Sequence, residues 1–384
     1  MTLWEGTHAF DCPTRVFFGR GVALELGARL AELGVGRALI VSDPGVAAAG
    51  IVERIVTSVN DRGLDAAVYA QTQPNPTIEN VEAALAVWRE HGCDGIVGVG
   101  GGSSMDAAKA VGVVAANGGS IADYTGRERV PRDLPSLVCL PTTCGTGSEV
   151  TFNAVITDAA RHAKLPFVSR RLAPRVALVD PALVERAPGA VIAATGADAL
   201  AHAIESYINL AHDPLIDALC IAAIRLIGAN LRRAVDERSP DSIDAMTLAA
   251  TMAGLAFNQN ANAVVHAAST PVTARFDIAH GVANALFMPE GLRFCAPSCP
   301  DRLAEIGAAL GGEATADGGI DAVRVLLADC GLPASLRSLD IDVERYQANI
   351  PAMVEDAMKS RSIPLNPRPV TPGDLDRLYR AVLG

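Results

Sequence analysis

The tightest constraint on this chain is the run Gly95-Ile96-Val97-Gly98-Val99-Gly100-Gly101-Gly102-Ser103-Ser104-Met105-Asp106-Ala107-Ala108-Lys109. Its first six residues carry no polar side chain and read as a buried strand. The strand passes without a break into three glycines and then into a stretch at 103–116 with helical composition. A buried strand feeding a helix through a glycine turn is the unit from which parallel α/β sheets are wound. Glycines permit close approach of another backbone or a ligand, and a helix N-terminus offers N–H groups to an anion. By itself the turn is either such an anion cradle or a bare tight turn. Its spacing is not G-x-G-x-x-G, and no acidic residue follows at the distance that fingerprint requires.

The rest of the first half follows the same alternation. Strands are predicted at 15–19, 37–42, 64–70 and 134–140, with amphipathic helices at 22–33 and 46–62 and a helix opened by Thr77 as N-cap, and the run 175–181 closes this half. Asp43-Pro44-Gly45 reads as a turn. Beyond Pro181 the β signal fades, and long Ala/Leu-rich segments at 189–208, 213–235, 240–268, 301–311 and 320–330 predict an all-helical region. Residues 1–181 are therefore expected to form an α/β domain with a mostly parallel sheet, and 182–384 an all-α domain. Such a chain is long enough for two sizeable cores.

Composition narrows the partners. Half the residues are hydrophobic, a fifth are charged, and the formal net charge is −11. An acidic chain of this kind lacks the basic surface that nucleic acid or an anionic membrane needs, so neither partner is expected. Eight cysteines are scattered with no Cys-x-x-Cys among them, which fits free thiols in a reducing, cytoplasmic compartment. Met1-Thr2-Leu3-Trp4-Glu5 shows neither a basic n-region nor an apolar h-region. The segment Thr247–Ala274 is free of charge, but Asn258, Gln259, Asn260, Asn262 and Pro271 interrupt it; it reads as buried helix rather than a membrane span.

The helical half carries the candidate chemistry. In Ala194–Tyr207, Asp198 and His202 stand four apart and share one helix face. An oxygen and an imidazole nitrogen aimed at one point suit a divalent transition metal, or they form an ordinary surface hydrogen bond. His266 and His280 lie in uncharged, largely apolar runs, as core histidines or as further ligands.

Taken together, Gly196-x-Asp198-Ala199-Leu200-x-His202-Ala203-Ile204-Glu205, Val265-His266-Ala267 and His280-Gly281-Val282-Ala283-Asn284-Ala285 resemble the iron-containing (group III) alcohol dehydrogenase family. The resemblance runs from about residue 12 to the C-terminus. It implies a Rossmann-like dinucleotide-binding domain followed by a helical metal-binding domain, an architecture shared with dehydroquinate synthase. It implies a single divalent metal, Fe²⁺ or else Zn²⁺, on Asp198, His202, His266 and His280. The pyrophosphate loop would be Gly100, Gly101, Gly102, Ser103, Asp106 and Lys109. Asp43 falls at the position facing the adenosine ribose, where a carboxylate accepts from the 2′-hydroxyl and repels a 2′-phosphate, so NAD is expected over NADP. Thr142, Thr143, Gly147 and Ser148, followed by Asn153 and Lys164, fall in the loop contacting the nicotinamide end.

The implied reaction is hydride transfer between a small alcohol or hydroxy acid and nicotinamide, with the metal as Lewis acid on the hydroxyl or carbonyl oxygen. Hydroxyacid–oxoacid transhydrogenase and maleylacetate-type reductase are the neighbouring redox alternatives. A dehydroquinate-synthase-like lyase fits less well, because its ligand set starts with Glu. Family members form homodimers or larger assemblies, so a homo-oligomer is expected. Three departures stand out. Thr270 occupies a position where many members carry a proton-transferring His, and proton release is expected through Thr270, cofactor ribose or water. Ala279 and Glu290 replace a frequent Pro and His. Arg275 is unusual, either paired and solvated or binding an anionic substrate.

Overall fold

The computed structural model describes residues 9–161 and 163–384, so the Met1–Glu5 segment read above lies outside the described residues. The chain divides into two units, Cys12–Ala187 and Pro188–Gly384, the second also taking in residues 9–11.

The first unit is built on six parallel strands in the order β1-β9-β6-β4-β2-β3. They are β1 (Arg15–Phe18), β2 (Arg37–Val41), β3 (Asp65–Tyr69), β4 (Gly95–Gly100), β6 (Ser136–Pro141) and β9 (Val176–Val179). Helices α1 (Leu26–Glu32), α2 (Pro44–Ala48), α3 (Ile51–Asn60), α4 (Ile78–Glu90) and α5 (Gly102–Asn117) connect them, and α6 (Pro181–Val184) follows β9. Alternate residues of the central strands feed two apolar layers. Leu39, Val41, Ile96, Leu137 and Cys139 pack with Val81, Leu85, Met105 and Val111 on one face. Ala38, Ile40, Val97, Val99, Val138 and Leu178 pack with Leu26, Leu30, Ile55 and Val59 on the other. Burial on both sides is why these strands read as continuous apolar runs. Thr77 caps α4 as expected, its Oγ1 accepting from Asn80 N at 3.3 Å while Asn80 Oδ1 accepts from Thr77 N at 3.2 Å.

Three features differ from the sequence reading, the first being that the helix expected over 46–62 is two, α2 and α3, separated at Gly50 with its left-handed φ of 72°. A second, three-stranded sheet joins β5 (Gly126–Arg127), β8 (Ala163–Val168) and β7 (Asn153–Asp158), and its β7–β8 pair is antiparallel. β5 has only two residues, and Pro166 within β8 breaks the strand pattern there. Asp43-Pro44-Gly45 is a helix start rather than a free turn, because Asp43 caps α2 with Pro44 at its first position.

The second unit contains α7 (Gly189–Ile208), α8 (Pro214–Asp236), α9 (Pro240–Phe257), α10 (Val264–Phe276), α11 (His280–Cys295), α12 (Pro300–Ala309), α13 (Ala316–Asp329), α14 (Val343–Met358) and α15 (Pro372–Ala381). The expected segment 240–268 is two helices. Side chains satisfy backbone groups between them: Asn260 Oδ1 accepts from Ala261 N at 2.7 Å, and Asn209 Nδ2, at the end of α7, donates to the carbonyls of Ala261 and Asn262. Gln259 also holds residue 11 through two 2.9 Å backbone hydrogen bonds. Among the described residues α8 is long and apolar enough to cross a membrane, and it packs against α7 and α9. All eight cysteines are free thiols, seven of them buried.

Candidate metal and nucleotide sites

Helix α7 presents Asp198, His202 and Glu205 at i, i+4 and i+7, one continuous face, and all three are buried. The first two meet His266 from α10, near its N-terminus, and His280, the first residue of α11. From Asp198 Oδ1 the Nε2 atoms of His202, His266 and His280 lie at 3.9, 3.6 and 3.7 Å. His202 stacks between Phe257, with ring centres 4.2 Å apart, and His266, at 4.6 Å. Helices α7 and α11 touch where Gly281 meets Ala194: a Cβ on Gly281 would stand 1.8 Å from the Ala194 carbonyl oxygen. Only glycine lets His280 come this close to the α7 face.

Two residues not assigned a role from sequence complete the arrangement. Glu205 accepts from the backbone N–H groups of Ala263 at 3.0 Å, Val265 at 2.7 Å and His266 at 3.2 Å, and its Oε2 holds the His266 Nδ1. It thus satisfies the open N-terminus of α10 and turns the His266 Nε2 toward Asp198. Asn284, one turn after His280, places Nδ2 2.8 Å from Asp198 Oδ1, 3.1 Å from His266 Nε2 and 3.3 Å from His280 Nε2, while Ser269 donates to its Oδ1. The spacings i+7 from Asp198 and i+4 from His280 were the signals available for both.

Burial alone would raise the Asp198 carboxyl, but the imidazoles of His202, His280 and His266 outweigh it and hold it well below the usual carboxylate range. Burial pushes the His266 imidazole down, while Glu205 and Asp198 beside it bring it up to about 9. Donors around a cation held at about 2.0 Å stand about 3.3 Å apart in a tetrahedron. Measured from Asp198, the three imidazoles exceed this by a few tenths of an ångström, and the chemistry of the donor set suits a divalent transition metal. Asp198, His202 and His266 form a compact group of donors, with His280 as the most exposed of the four.

Thr270 lies on α10, exposed, and its hydroxyl donates to the His266 carbonyl at 2.8 Å. Arg275 reaches Asp356 on α14, and so its charge is met within the protein.

In the first unit, β2 connects outward to β3, whereas β4 connects the other way to β6. The carboxyl ends of β2 and β4 therefore flank the switch point where α/β sheets open a crevice. Asp43 follows β2 and Gly100 ends β4 at that point. The three glycines differ in surroundings. Gly100 has φ +151°, and a Cβ there would stand 2.5 Å from Ser104 Oγ. A Cβ on Gly102 would stand 2.9 Å from Thr146 Cγ2. Gly101, the N-cap of α5, faces the most open space, with Thr143 nearest at 3.5 Å. The Thr143 Oγ1 is buried without a hydrogen-bond partner, and Thr142 N donates to the Gly100 carbonyl at 3.0 Å. An open glycine, the first-turn N–H groups of α5 and an uncommitted hydroxyl together fit a pyrophosphate.

Other expected residues are turned inward. Asp106 accepts from Ser148 Oγ at 2.8 Å and from Val155 N at 2.9 Å. Lys109 is fully buried and donates to Ser148 Oγ, Thr151 and the Asn153 carbonyl. Burial pushes the Asp106 carboxyl up and the Lys109 ammonium down. These side chains clamp the 141–153 loop, in which Gly147 takes a left-handed φ of 62°. Lys164 sits on β8, tied to Asn75 Oδ1 at 2.7 Å and Thr157 Oγ1 at 3.0 Å, near enough for its charge to act on Asp106. Ser103 is half-buried at the start of α5, while Ser104 is wholly buried.

An α/β unit with a glycine turn at its switch point, followed by a helical unit with a buried Asp/His cluster, is the make-up of two-domain metal-dependent dehydrogenases. Comparison with known proteins makes this specific. Residues 13–181 match the family model for iron-containing alcohol dehydrogenase, and residues 192–383 match that for the C-terminal part of the Fe-containing alcohol dehydrogenase family. The NAD-dependent methanol dehydrogenase of Bacillus methanolicus is 36% identical over 382 residues, covering 97% of this chain and 99% of that one. The 1,3-propanediol dehydrogenase of Citrobacter freundii is 37% identical over 378 residues, covering 96% and 97%. A crystal structure of 1,3-propanediol oxidoreductase superposes with a TM-score of 0.94 at 35% identity, covering 98% of this chain and all of the other. The chain belongs to the iron-containing alcohol dehydrogenase family.

Proposed function

We propose that the protein is an NAD- and divalent-metal-dependent alcohol dehydrogenase or aldehyde reductase acting on the CH–OH group of a small alcohol. The observation that carries this reading is the convergence of Asp198, His202, His266 and His280 in a chain of this family. These four residues would hold the metal, Fe²⁺ by family or Zn²⁺ by donor chemistry. When bound, the cation supplies Lewis acidity to a hydroxyl or carbonyl oxygen and the nicotinamide supplies the hydride acceptor. The chain's own residues do the positioning. Glu205 fixes the tautomer and direction of His266, and Phe257 fixes the His202 ring by stacking.

On the nucleotide side, Gly101, Gly102, Ser103 and Thr143 would meet phosphate and ribose oxygens, with Thr142 close behind. Gly100, Asp106, Lys109, Gly147, Ser148 and Lys164 act by shaping that surface. Asp43 favours NAD over NADP by accepting from a ribose hydroxyl and repelling a phosphate. Proton release would run through Thr270, cofactor ribose or water, the Thr270 hydroxyl being able to pass a proton but not to titrate near neutrality. A cytoplasmic homodimer or larger homo-oligomer completes the proposal, supported by free cysteines and by family membership.

The test is a panel of small alcohols, diols and hydroxy acids with NAD, using protein stripped of metal and reloaded with Fe²⁺ or Zn²⁺. Net NADH formation that depends on the added metal is expected. Its absence with every substrate would overturn the proposal, and exchange between substrates without net NADH would indicate a transhydrogenase.

A further inference from the structure

Asp43 is held from two sides. Its Oδ1 accepts from Val46 N at 2.9 Å, the capping bond of α2, and its Oδ2 accepts from Ser104 Oγ at 3.0 Å. Ser104 lies on the first turn of α5, sixty-one positions along the chain. It is wholly buried, so its hydroxyl is not competing for water. Two glycines fence the carboxylate as well. A Cβ on Gly45 would stand 3.2 Å from Asp43 Oδ1, and one on Gly100 would stand 3.0 Å from Oδ2 and 2.5 Å from Ser104 Oγ. Gly100 is therefore needed for the Ser104–Asp43 hydrogen bond to pass at all, whatever ligand binds above it.

A carboxylate anchored on both oxygens cannot rotate about its last torsion, yet each oxygen keeps a lone pair for another donor. Such a group presents a fixed negative charge at the switch point of the sheet. A ribose hydroxyl can donate to it without reorganisation. A phosphate in the same place meets a charge that cannot swing aside, and rejection of a misfit partner is what produces specificity. We propose that Ser104 is a positioning residue for dinucleotide choice: by locking Asp43 across Gly100, it sets the discrimination between NAD and NADP. This rests on the nucleotide reading given above and adds to it the residue that makes Asp43 rigid.

The experiment compares dissociation constants for NADH and NADPH, followed by nicotinamide fluorescence, in the metal-loaded wild type, Ser104→Ala and Asp43→Asn. Alanine removes one atom and suits a helix, so Ser104→Ala should fold, and its thermal midpoint is recorded to confirm this. The wild type should prefer NADH. In Ser104→Ala, NADH binding should weaken about three- to tenfold while NADPH binding holds or tightens, narrowing the ratio by at least about threefold. A merely structural role would weaken both alike and leave the ratio unchanged. If Asp43→Asn collapses the ratio and Ser104→Ala does not, the Ser104 proposal falls and the Asp43 reading stands. If Asp43→Asn also leaves the ratio unchanged, both fall. A wild type that binds neither dinucleotide overturns the proposed function itself.

Discussion

In the α/β unit the groups offered to a ligand are mostly backbone: a bare glycine, the N–H groups opening α5, and strand ends. In the helical unit they are side chains, one carboxylate and three imidazoles delivered by α7, α10 and α11. The polar side chains of the first site are largely engaged inside the fold, as Asp106, Lys109 and Ser148 show. Those of the second face one another around a common point. A backbone site fails when atoms are added to it; a side-chain site fails when atoms are taken away. The two should therefore respond to opposite kinds of substitution, and that contrast can be tested.

The largest effect is expected from subtraction in the helical unit. Asp198→Ala removes the atom that stands within 3.9 Å of all three imidazole nitrogens. Metal content by elemental analysis should fall toward zero, and kcat should drop by about a thousandfold or more, as loss of a Lewis acid worth several kcal/mol implies. Full activity with no bound metal would break the comparison outright. A second subtraction is subtler. Glu205→Gln keeps the size and the acceptor for Ala263 and Val265, but sets an amide donor against the His266 Nδ1. Metal affinity, measured by chelator competition, should fall about 10- to 100-fold. An unchanged affinity would reduce Glu205 to a cap for α10.

Addition should act in the α/β unit. Gly101 has φ −75°, which alanine adopts without strain, and an added Cβ meets nothing closer than Thr143 at 3.5 Å. Gly101→Ala should therefore unfold at nearly the wild-type temperature. Its NADH dissociation constant should nevertheless rise about tenfold or more, because the methyl occupies the approach to the N–H groups of α5. Equal losses of stability and binding would show that Gly101 is a structural glycine.

The same contrast explains what could be read from sequence. The β4–glycine–α5 unit was visible because a strand buried on both faces leaves an uninterrupted apolar run, and the four candidate ligands were visible because Asp198 and His202 share a helix face within a family pattern. Family membership and the two-part fold followed from those features. Glu205 and Asn284 sat inside the quoted motifs, but their work depends on contacts with 263–266 and with Asp198, which no local pattern encodes. Ser104 was hidden for the same reason, its partner lying in another strand-to-helix turn. Lys109 shows the converse. Family resemblance counts it with the pyrophosphate loop, yet it lies within α5, wholly buried, and holds the 148–153 segment. The β7–β8 hairpin was missed because its strands, as long as β4, are only partly buried and carry a proline, so they lack β4's uninterrupted apolar run.

Arg275 marks the lower end of the scale. The guanidinium is 26% exposed and Asp356 is 41% exposed, and Arg275 also donates to the Pro271 carbonyl while its own carbonyl accepts from Arg345. It thus ties the last turn of α10 to α14 by a partly solvated pair, an interaction worth about 0–1 kcal/mol. Burial raises the Asp356 carboxyl, but Arg275 and Lys359 together bring it below its ordinary value. A lowered carboxylate contributes stability that is present above the unfolded pKa, about 3.9, and lost as pH falls through the lower folded value. Arg275→Leu should accordingly be less stable than the wild type by under about 1 kcal/mol at neutral pH, and the two should converge in acid. Because the charge is already met within the helical unit, KM should shift equally for neutral alcohols and for hydroxy acids. A rise confined to the acids would return Arg275 to the substrate site, adding a charged side chain to a set otherwise made of metal donors and their supports.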